Sequence, residues 1–260
     1  MYTTLLYEIT GAVGTITLNR PDVYNAFNET LSAEFIDVLK KAGKDEAVRV
    51  VVITGAGKAF CSGQDLQDVK KAEGKRSLGE SVNRRYNPMI IAVREMPKPV
   101  VCRLNGVAAG AGASLAMACD IIVAAEEASL VQAFANIGLV LDSGSSFFLP
   151  NLIGYNKAFE ICTLGSKVSA REAFELGIIN KLVPAAEIDA AVKVYTDRYE
   201  NAAPKSMAII KKMLNKGMTA NLRDMLTYEM YSQEIAGNTA DYQEGVAAFI
   251  EKRKPTFTGK

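Results

Sequence analysis

The stretch PKPVVCRLNGVAAGAGASLAMACDIIVA, residues 97–124, holds the pattern that decides the fold. Pro97 and Pro99 stop whatever helix precedes them. Val100 to Leu104 then reads as a buried strand, and Asp120-Ile-Ile-Val-Ala-Ala reads as another. Between them Val107 to Cys119 carries no charge, is rich in Gly and Ala, and is too short to span a bilayer. Upstream, VRVVVIT at Val48 to Thr54 is a β-branched run bounded by Gly55 and Gly57, which fits a strand buried on both faces. A helical segment ending near Glu95 separates the two runs, after a polar stretch from Lys70 to Glu80.

The same alternation extends toward the N-terminus. Gly11 to Leu18 alternates as a strand that Arg20-Pro21 ends. Asn28 is then placed to cap a helix whose Leu31, Phe35, Val38 and Leu39 fall at helical spacing. Repeated strand, helix, strand predicts an α/β fold with a largely parallel set of strands. From Ser169 the character changes: Ser169-Ala-Arg-Glu172 is a capping box, and Ile188 to Asn201, Lys205 to Met218 and Leu222 to Ile235 read as helices. The expected organisation is a core over residues 1–184 and a helical C-terminal region over 185–260, with the boundary near Leu182-Val-Pro184.

Composition removes whole classes of chemistry. The chain has no histidine, so Ser-His-Asp and Cys-His nucleophiles and His-bearing zinc sites are excluded. Cys61, Cys102, Cys119 and Cys162 form no CxxC pair and read as reduced thiols; no metal site is expected. Thirty Lys plus Arg stand against 29 Asp plus Glu, a net charge of +1 that offers no field for nucleic acid or an anionic membrane. Met1 to Thr10 is interrupted by polar residues and matches neither a secretory nor a transit leader, so a cytoplasmic protein is expected.

Two Gly-rich loops follow buried strands. TGAGKAFCSGQDL, residues 54–66, turns through three glycines before a helix expected to begin near Gln64; such an end presents unpaired N–H groups to an anion or a developing negative oxygen. Asn105 to Leu115 either packs closely or exposes backbone amides to a ligand, and periodicity does not choose between these. Judged on its residues alone, Asp142 reads as a turn residue beside Ser143-Gly144, Ser114 as helix packing, and Cys61 as a small packed thiol.

Taken together, KAFCSGQDL, the 97–124 stretch, GIINKLVP at 177–184 and EGVAAFIEKRKPTF at 244–257 resemble the crotonase (enoyl-CoA hydratase/isomerase) superfamily over essentially the whole chain. That resemblance implies a spiral of ββα units, a helical C-terminal trimerisation region, an acyl-CoA substrate with no cofactor beyond its CoA moiety, and a homotrimer or dimer of trimers. It also implies an oxyanion hole of the Gln64 and Ala111 N–H groups. Asn25, Ala26, Ser62, Asp65, Leu66, Phe249 and Lys252 are implied as the CoA-binding set, the last two often acting across subunits. Some relatives carry Lys where this chain has Gln67.

The two positions where hydratases carry water-activating Glu hold Ser114 and Phe134. Asp142 remains, at a site where a subset of the family has its acid–base Asp. SLVQAFANIGLVLDSGSSFFLPNLIG at 129–154, RRYNPMI at 84–90 and GAGASLA at 110–116 closely resemble the branch that isomerises an aryl epoxide acyl-CoA, with 3-enoyl to 2-enoyl isomerisation as a related activity. Flanking Val140, Leu141, Phe147 and Phe148 should desolvate Asp142 and raise its pKa. Tyr86, Asn87 and Phe134 are implied for the acyl pocket. The alternatives are an enoyl-CoA hydratase, an arylacyl-CoA dehalogenase (which normally uses the His and Trp this chain lacks), or a noncatalytic or RNA-binding protein of this fold.

Overall fold

The computed structural model describes residues 1–67 and 77–260. Most of the Lys70 to Glu80 stretch thus lies outside the described residues.

Two sheets share the strands. The larger has the order β1 (Leu5–Thr10), β2 (Val13–Leu18), β3 (Val50–Gly55), β5 (Val100–Leu104), β7 (Ile121–Ala125) and β10 (Lys181–Val183); the smaller has β4 (Ala59–Cys61), β6 (Val107–Ala109), β8 (Ser129–Val131) and β9 (Lys167–Ser169). The β1–β2 and β8–β9 pairs are antiparallel, and every other pair is parallel. Each pass of the chain therefore lays one strand in each sheet and then a helix: β3 with β4, β5 with β6, β7 with β8. This is the expected spiral of ββα units.

The helices follow from local signals. Asn28 caps α1 (Glu29–Lys44) by accepting the Leu31 N–H at 2.8 Å. A short α2 (Leu78–Ser81) and a π-helical turn (Val82–Tyr86) lead into α3 (Asn87–Glu95), which ends before Pro97 as expected. The Gly/Ala run divides into β6 and α4 (Ala111–Ala118), whose residues are all buried; at Gly112 the helix passes so close to β4 that a Cβ would overlap the Cys61 carbonyl. Then come α5 (Ser145–Ile153), α6 (Tyr155–Leu164) and α7 (Ala170–Glu175), where Ser169 accepts the Glu172 N–H at 3.1 Å.

Beyond β10 the chain is helical: α8 (Ile188–Glu200), α9 (Pro204–Gly217), α10 (Leu222–Gly237) and α11 (Ala240–Glu251). Helix α8 is part of the core packing. Val50 and Val52 of β3, with Val101 and Val123, face Ile188 and Val192 of α8, whereas Val51 and Ile53 face the main core with Phe35, Leu39 and Met89. A strand buried on both faces cannot alternate in polarity, and this accounts for the unbroken β3 run.

Helix α9 is fastened by a buried lysine. Lys211 Nζ donates to the Val93 and Lys98 carbonyls at 2.8 and 3.1 Å and to Asp120 Oδ2 at 2.7 Å. Desolvation lowers the Lys211 pKa, and Asp120 opposes that shift. Lys211→Ala would leave the Val93 and Lys98 carbonyls without this donor and take one partner from Asp120, which keeps the Val100 N–H at 2.8 Å and Arg94 at 3.7 Å, so a loss of about 2 kcal/mol is expected. A thermal unfolding midpoint within a degree of wild type would contradict this. No helix among the described residues is long and apolar enough to cross a membrane.

The C-terminal motif is explained by a clamp. Arg253 pairs with Glu244 at 2.6 Å, and Asp241 accepts the Thr258 and Gly259 N–H groups at 2.7 and 2.9 Å.

Candidate active site

The first loop leaves β4 at Cys61 and is laced to residues 24–27. Ser62 N–H donates to the Tyr24 carbonyl, Phe27 N–H to the Gly63 carbonyl at 2.7 Å, and Asp65 N–H to the Phe27 carbonyl at 3.0 Å. These bonds hold Gln64 in an extended bridge with Phe27, so the helix expected near Gln64 starts two residues later, at Leu66. Gly63 has φ +88, a conformation that L side chains resist.

The second loop leaves β6, turns at Gly110 (φ +50) and enters α4 at Ala111. The loops are in contact: a Cβ on Gly63 would lie 2.7 Å from the Ala109 carbonyl oxygen and 3.4 Å from Ala111 N, and one on Gly112 would overlap the Cys61 carbonyl. Among the described residues, neither the Gln64 N–H nor the Ala111 N–H meets an acceptor. Two unpaired donors on touching loops can together hold one negative oxygen.

Asp142 lies in a turn where Ser143 has φ +52 and Gly144 φ +83. Its carbonyl accepts the Ser145 N–H that opens α5, at 3.1 Å, and its carboxylate accepts the Ser143 hydroxyl at 2.8 Å. Burial raises the Asp142 pKa from its ordinary value, partly offset by the Ser143 hydrogen bond. The expected flanking residues contribute unequally. Val140 is 85% exposed, whereas Phe148 is buried at 6%. A loop turns alternate side chains outward, so adjacency in sequence does not ensure shielding.

The turn sits over the first turn of α4. Ser114 Oγ donates toward the Asp142 carbonyl at 3.4 Å and the Gly110 carbonyl at 3.1 Å, and lies 2.5 Å from Ser145 Oγ, which in turn reaches Gln132 Oε1 at 3.2 Å. Ser114, Gln132 and Ser145 are buried. Sequence reading missed this cluster because positions 114, 132 and 145 share no period.

Phe134 is buried against the second loop, its ring 3.7 Å from where a Gly110 Cβ would stand. It lines an apolar cavity of about 430 Å³ with Leu139, Leu141, Tyr155 and Phe159. Tyr86, delivered by the π-helical turn, is buried and donates its hydroxyl to Gln64 Oε1 at 3.0 Å. Asn87, which begins α3, is exposed and, among the described residues, makes no side-chain hydrogen bond to the loop.

The expected CoA set divides by what its atoms already do. The Asn25 side chain is fully buried, accepting the Arg20 N–H and donating to the Ala56, Ala59 and Phe60 carbonyls. Asp65 pairs with Arg20 at 2.9 Å and accepts the Gln67 N–H. Both side chains therefore build the loop, and a ligand there would meet backbone. Ala26 is buried, with its carbonyl on Arg20 Nη1; Ser62 Oγ donates to the Val23 carbonyl, and Leu66 is exposed. Phe249, 86% exposed, lines a separate groove with Tyr242, Val246 and Phe257, and Lys252 caps α11 in the left-handed conformation; no Gly-rich loop residue lines that groove.

Burial pushes the Cys61 thiol up to about 12, and its Sγ donates to the Asn25 carbonyl, so it acts as a packed thiol. Among the described residues no three His, Cys, Asp or Glu side chains gather as a metal site would require.

Residues 8–260 match the family described as enoyl-CoA hydratase/isomerase. The chain is 40% identical over 258 residues to the 1,2-epoxyphenylacetyl-CoA isomerase of Escherichia coli K12, covering 98% of each chain. It is 39% identical to a Rhodobacter capsulatus protein named "Probable enoyl-CoA hydratase", covering 100% of this chain and 99% of that one. The crystal structure of an enoyl-CoA hydratase from Bacillus anthracis superposes with a TM-score of 0.95 at 30% identity, covering 99% of this chain and 100% of that one. The chain belongs to the enoyl-CoA hydratase/isomerase family.

Proposed function

We propose that this protein is an acyl-CoA isomerase that works through a thioester enolate, with 2-(1,2-epoxy-1,2-dihydrophenyl)acetyl-CoA, rearranged to the oxepin, as its principal substrate and 3-enoyl-CoA as a second. The observation that carries the reading is Asp142, a half-buried carboxylate with a raised pKa in a turn whose backbone carbonyl meets Ser114 of the second loop, while Ser114 and Phe134 stand in place of the hydratase carboxylates. Hydration needs water oriented and deprotonated. Isomerisation needs one base that takes a proton beside the thioester and returns it elsewhere, which a single carboxylate can do. The Gln64 and Ala111 N–H groups supply the oxyanion hole, where preorganised backbone donors stabilise the charge that develops on the thioester oxygen. The apolar cavity beside Phe134 suits an aryl or alkyl acyl group. The relative named as an epoxide isomerase supports the choice of substrate.

Turnover of epoxyphenylacetyl-CoA, 3-hexenoyl-CoA and crotonyl-CoA tests the proposal. The first two should be isomerised; hydration of crotonyl-CoA as the dominant activity would overturn it.

CoA needs contacts that one chain does not bring together, since the Phe249 groove is separate from the Gly-rich loops. The C-terminal helices also leave Leu214, Leu222, Phe249 and Ile250 exposed. Both features support a homotrimer or dimer of trimers. Light scattering should give three or six times 28.0 kDa, and a monomer at micromolar concentration would refute the assembly.

A further inference from the structure

The hydroxyl of Ser114 lies where two parts of the site meet. It reaches the Gly110 carbonyl at 3.1 Å and the Asp142 carbonyl at 3.4 Å, and contacts Ser145 Oγ at 2.5 Å. Ser145 passes the chain on to Gln132 Oε1 at 3.2 Å, and its own N–H holds the Asp142 carbonyl at 3.1 Å. All three side chains are at most 2% exposed, so bulk water does not compete for these bonds.

The geometry gives this cluster leverage. The Gly110 carbonyl accepts the Ser114 N–H at 3.0 Å as well as its hydroxyl, and because that carbonyl and the Ala111 N–H belong to one planar peptide unit, bonds that fix the oxygen also fix the direction of the hydrogen. The Asp142 carbonyl opens a turn whose next residue, Ser143, is a non-glycine at φ +52, a conformation that persists only where its surroundings impose it. A hydroxyl touching both carbonyls sets the spacing between an N–H aimed at a negative oxygen and a carboxylate that moves a proton. Misplacement of reacting groups by about 1 Å can cost on the order of 100-fold in rate.

We propose that Ser114, Ser145 and Gln132 are positioning residues, a buried tether that locks the Gly110–Ala111 peptide to the Asp142 turn and so sets the geometry of proton transfer. The functional part rests on the isomerase reading; the mechanical part does not. Without the tether the turn relaxes and admits water, the Asp142 carboxylate is better solvated, and its pKa falls toward the ordinary carboxylate value.

Ser114→Ala is the direct test, with Ser145→Ala as a second variant that leaves the Ser114 bonds to the two carbonyls possible. In Ser114→Ala kcat should fall about 100-fold with KM within threefold, and the acid limb of the pH–rate profile should move to lower pH. Ser145→Ala should show the same changes, smaller. Amide hydrogen exchange on the ligand-free protein gives a readout independent of any reaction: segments 108–116 and 139–148 should both exchange faster in Ser114→Ala, while the β3 segment is unchanged. Unaltered exchange in the two segments would overturn the tether whatever the enzyme's reaction. If exchange rises but kcat and the acid limb stay at wild-type values in an active isomerase, the positioning role is overturned. A wild type that hydrates and does not isomerise would refute the function proposed above and leave the exchange experiment to decide the tether.

Discussion

Asp142→Asn is expected to lower isomerase kcat by about 100- to 10,000-fold, the range that a positioned acid–base group contributes, with little change in KM. Asn keeps the size of the side chain and can still pair with Ser143, but it cannot take a proton at neutral pH. In wild type, burial raises the Asp142 pKa, so the base form is lost on acidification at a higher pH than for an ordinary carboxylate. The acid limb of kcat/KM should therefore lie above 3.8, the ordinary value. The sign for stability is opposite to that of a salt-bridged carboxylate. A folded pKa above the unfolded one means that ionised Asp142 opposes folding above the folded pKa, and that this penalty vanishes below the unfolded pKa. Asp142→Asn removes the penalty, so its thermal midpoint at pH 7 should equal or exceed that of wild type. Full activity in a folded Asp142→Asn protein would eliminate Asp142 as the base.

The second large effect comes from deleting a backbone donor. Ala111 is the first residue of α4, the position where proline is tolerated, because its N–H has no partner within the helix. Gly110 precedes it at φ +50, ψ −124, outside the α region that a following proline disfavours, and has no Cβ to meet the proline ring. Ala111→Pro should therefore fold while removing one of the two unpaired N–H groups and placing a ring carbon where the thioester oxygen would sit. A drop in kcat of about 100- to 1,000-fold, equivalent to about 2.7–4 kcal/mol, is the magnitude reported by loss of a single oxyanion donor. Ala111→Gly is the control, since it keeps the N–H, and should retain most of the activity. If the proline variant is folded and within threefold of wild type, the Ala111 N–H is not part of an oxyanion hole.

Much of the fold was legible in residues. The β3, β5 and β7 runs, the Asn28 and Ser169 caps and the Pro97 stop were read from local chemistry, because each depends on a side chain acting on its own backbone or on a run of β-branched residues. The β4, β6, β8 and β9 strands were not. Each is three residues long, too short to show a period, and exists through pairing with a distant partner, as β6 does with β8 from Val107↔Ser129 to Ala109↔Val131. The N-terminal strand β1 was also missed, because only Leu5 is buried while the apolar Leu6 and Ile9 are exposed, so no inward-outward alternation marks it and its pairing with β2 defines it. The second half of α11 lies in the 244–257 stretch quoted for its resemblance, and the Arg253–Glu244 pair ties that helix to the residues that follow it.

The sequence by itself determined what chemistry is possible. The absence of histidine removes Ser-His-Asp and Cys-His nucleophiles, whereas Asp142 as candidate base rests on the family resemblance, which sets Ser114 and Phe134 where hydratases carry Glu; on its residues alone Asp142 reads as a turn residue. Tertiary structure alone decided what those groups face. It turned Asn25 and Asp65 inward as loop builders, bonded Tyr86 to Gln64, and ran a buried chain of Ser114, Ser145 and Gln132 between the loop and the turn. The difference is physical. A residue type fixes which protons and charges a side chain can offer, a property of the atom group that is present in any conformation. Whether that group is spent on its own backbone or left free for a ligand depends on neighbours tens of residues away, and only packing brings those together.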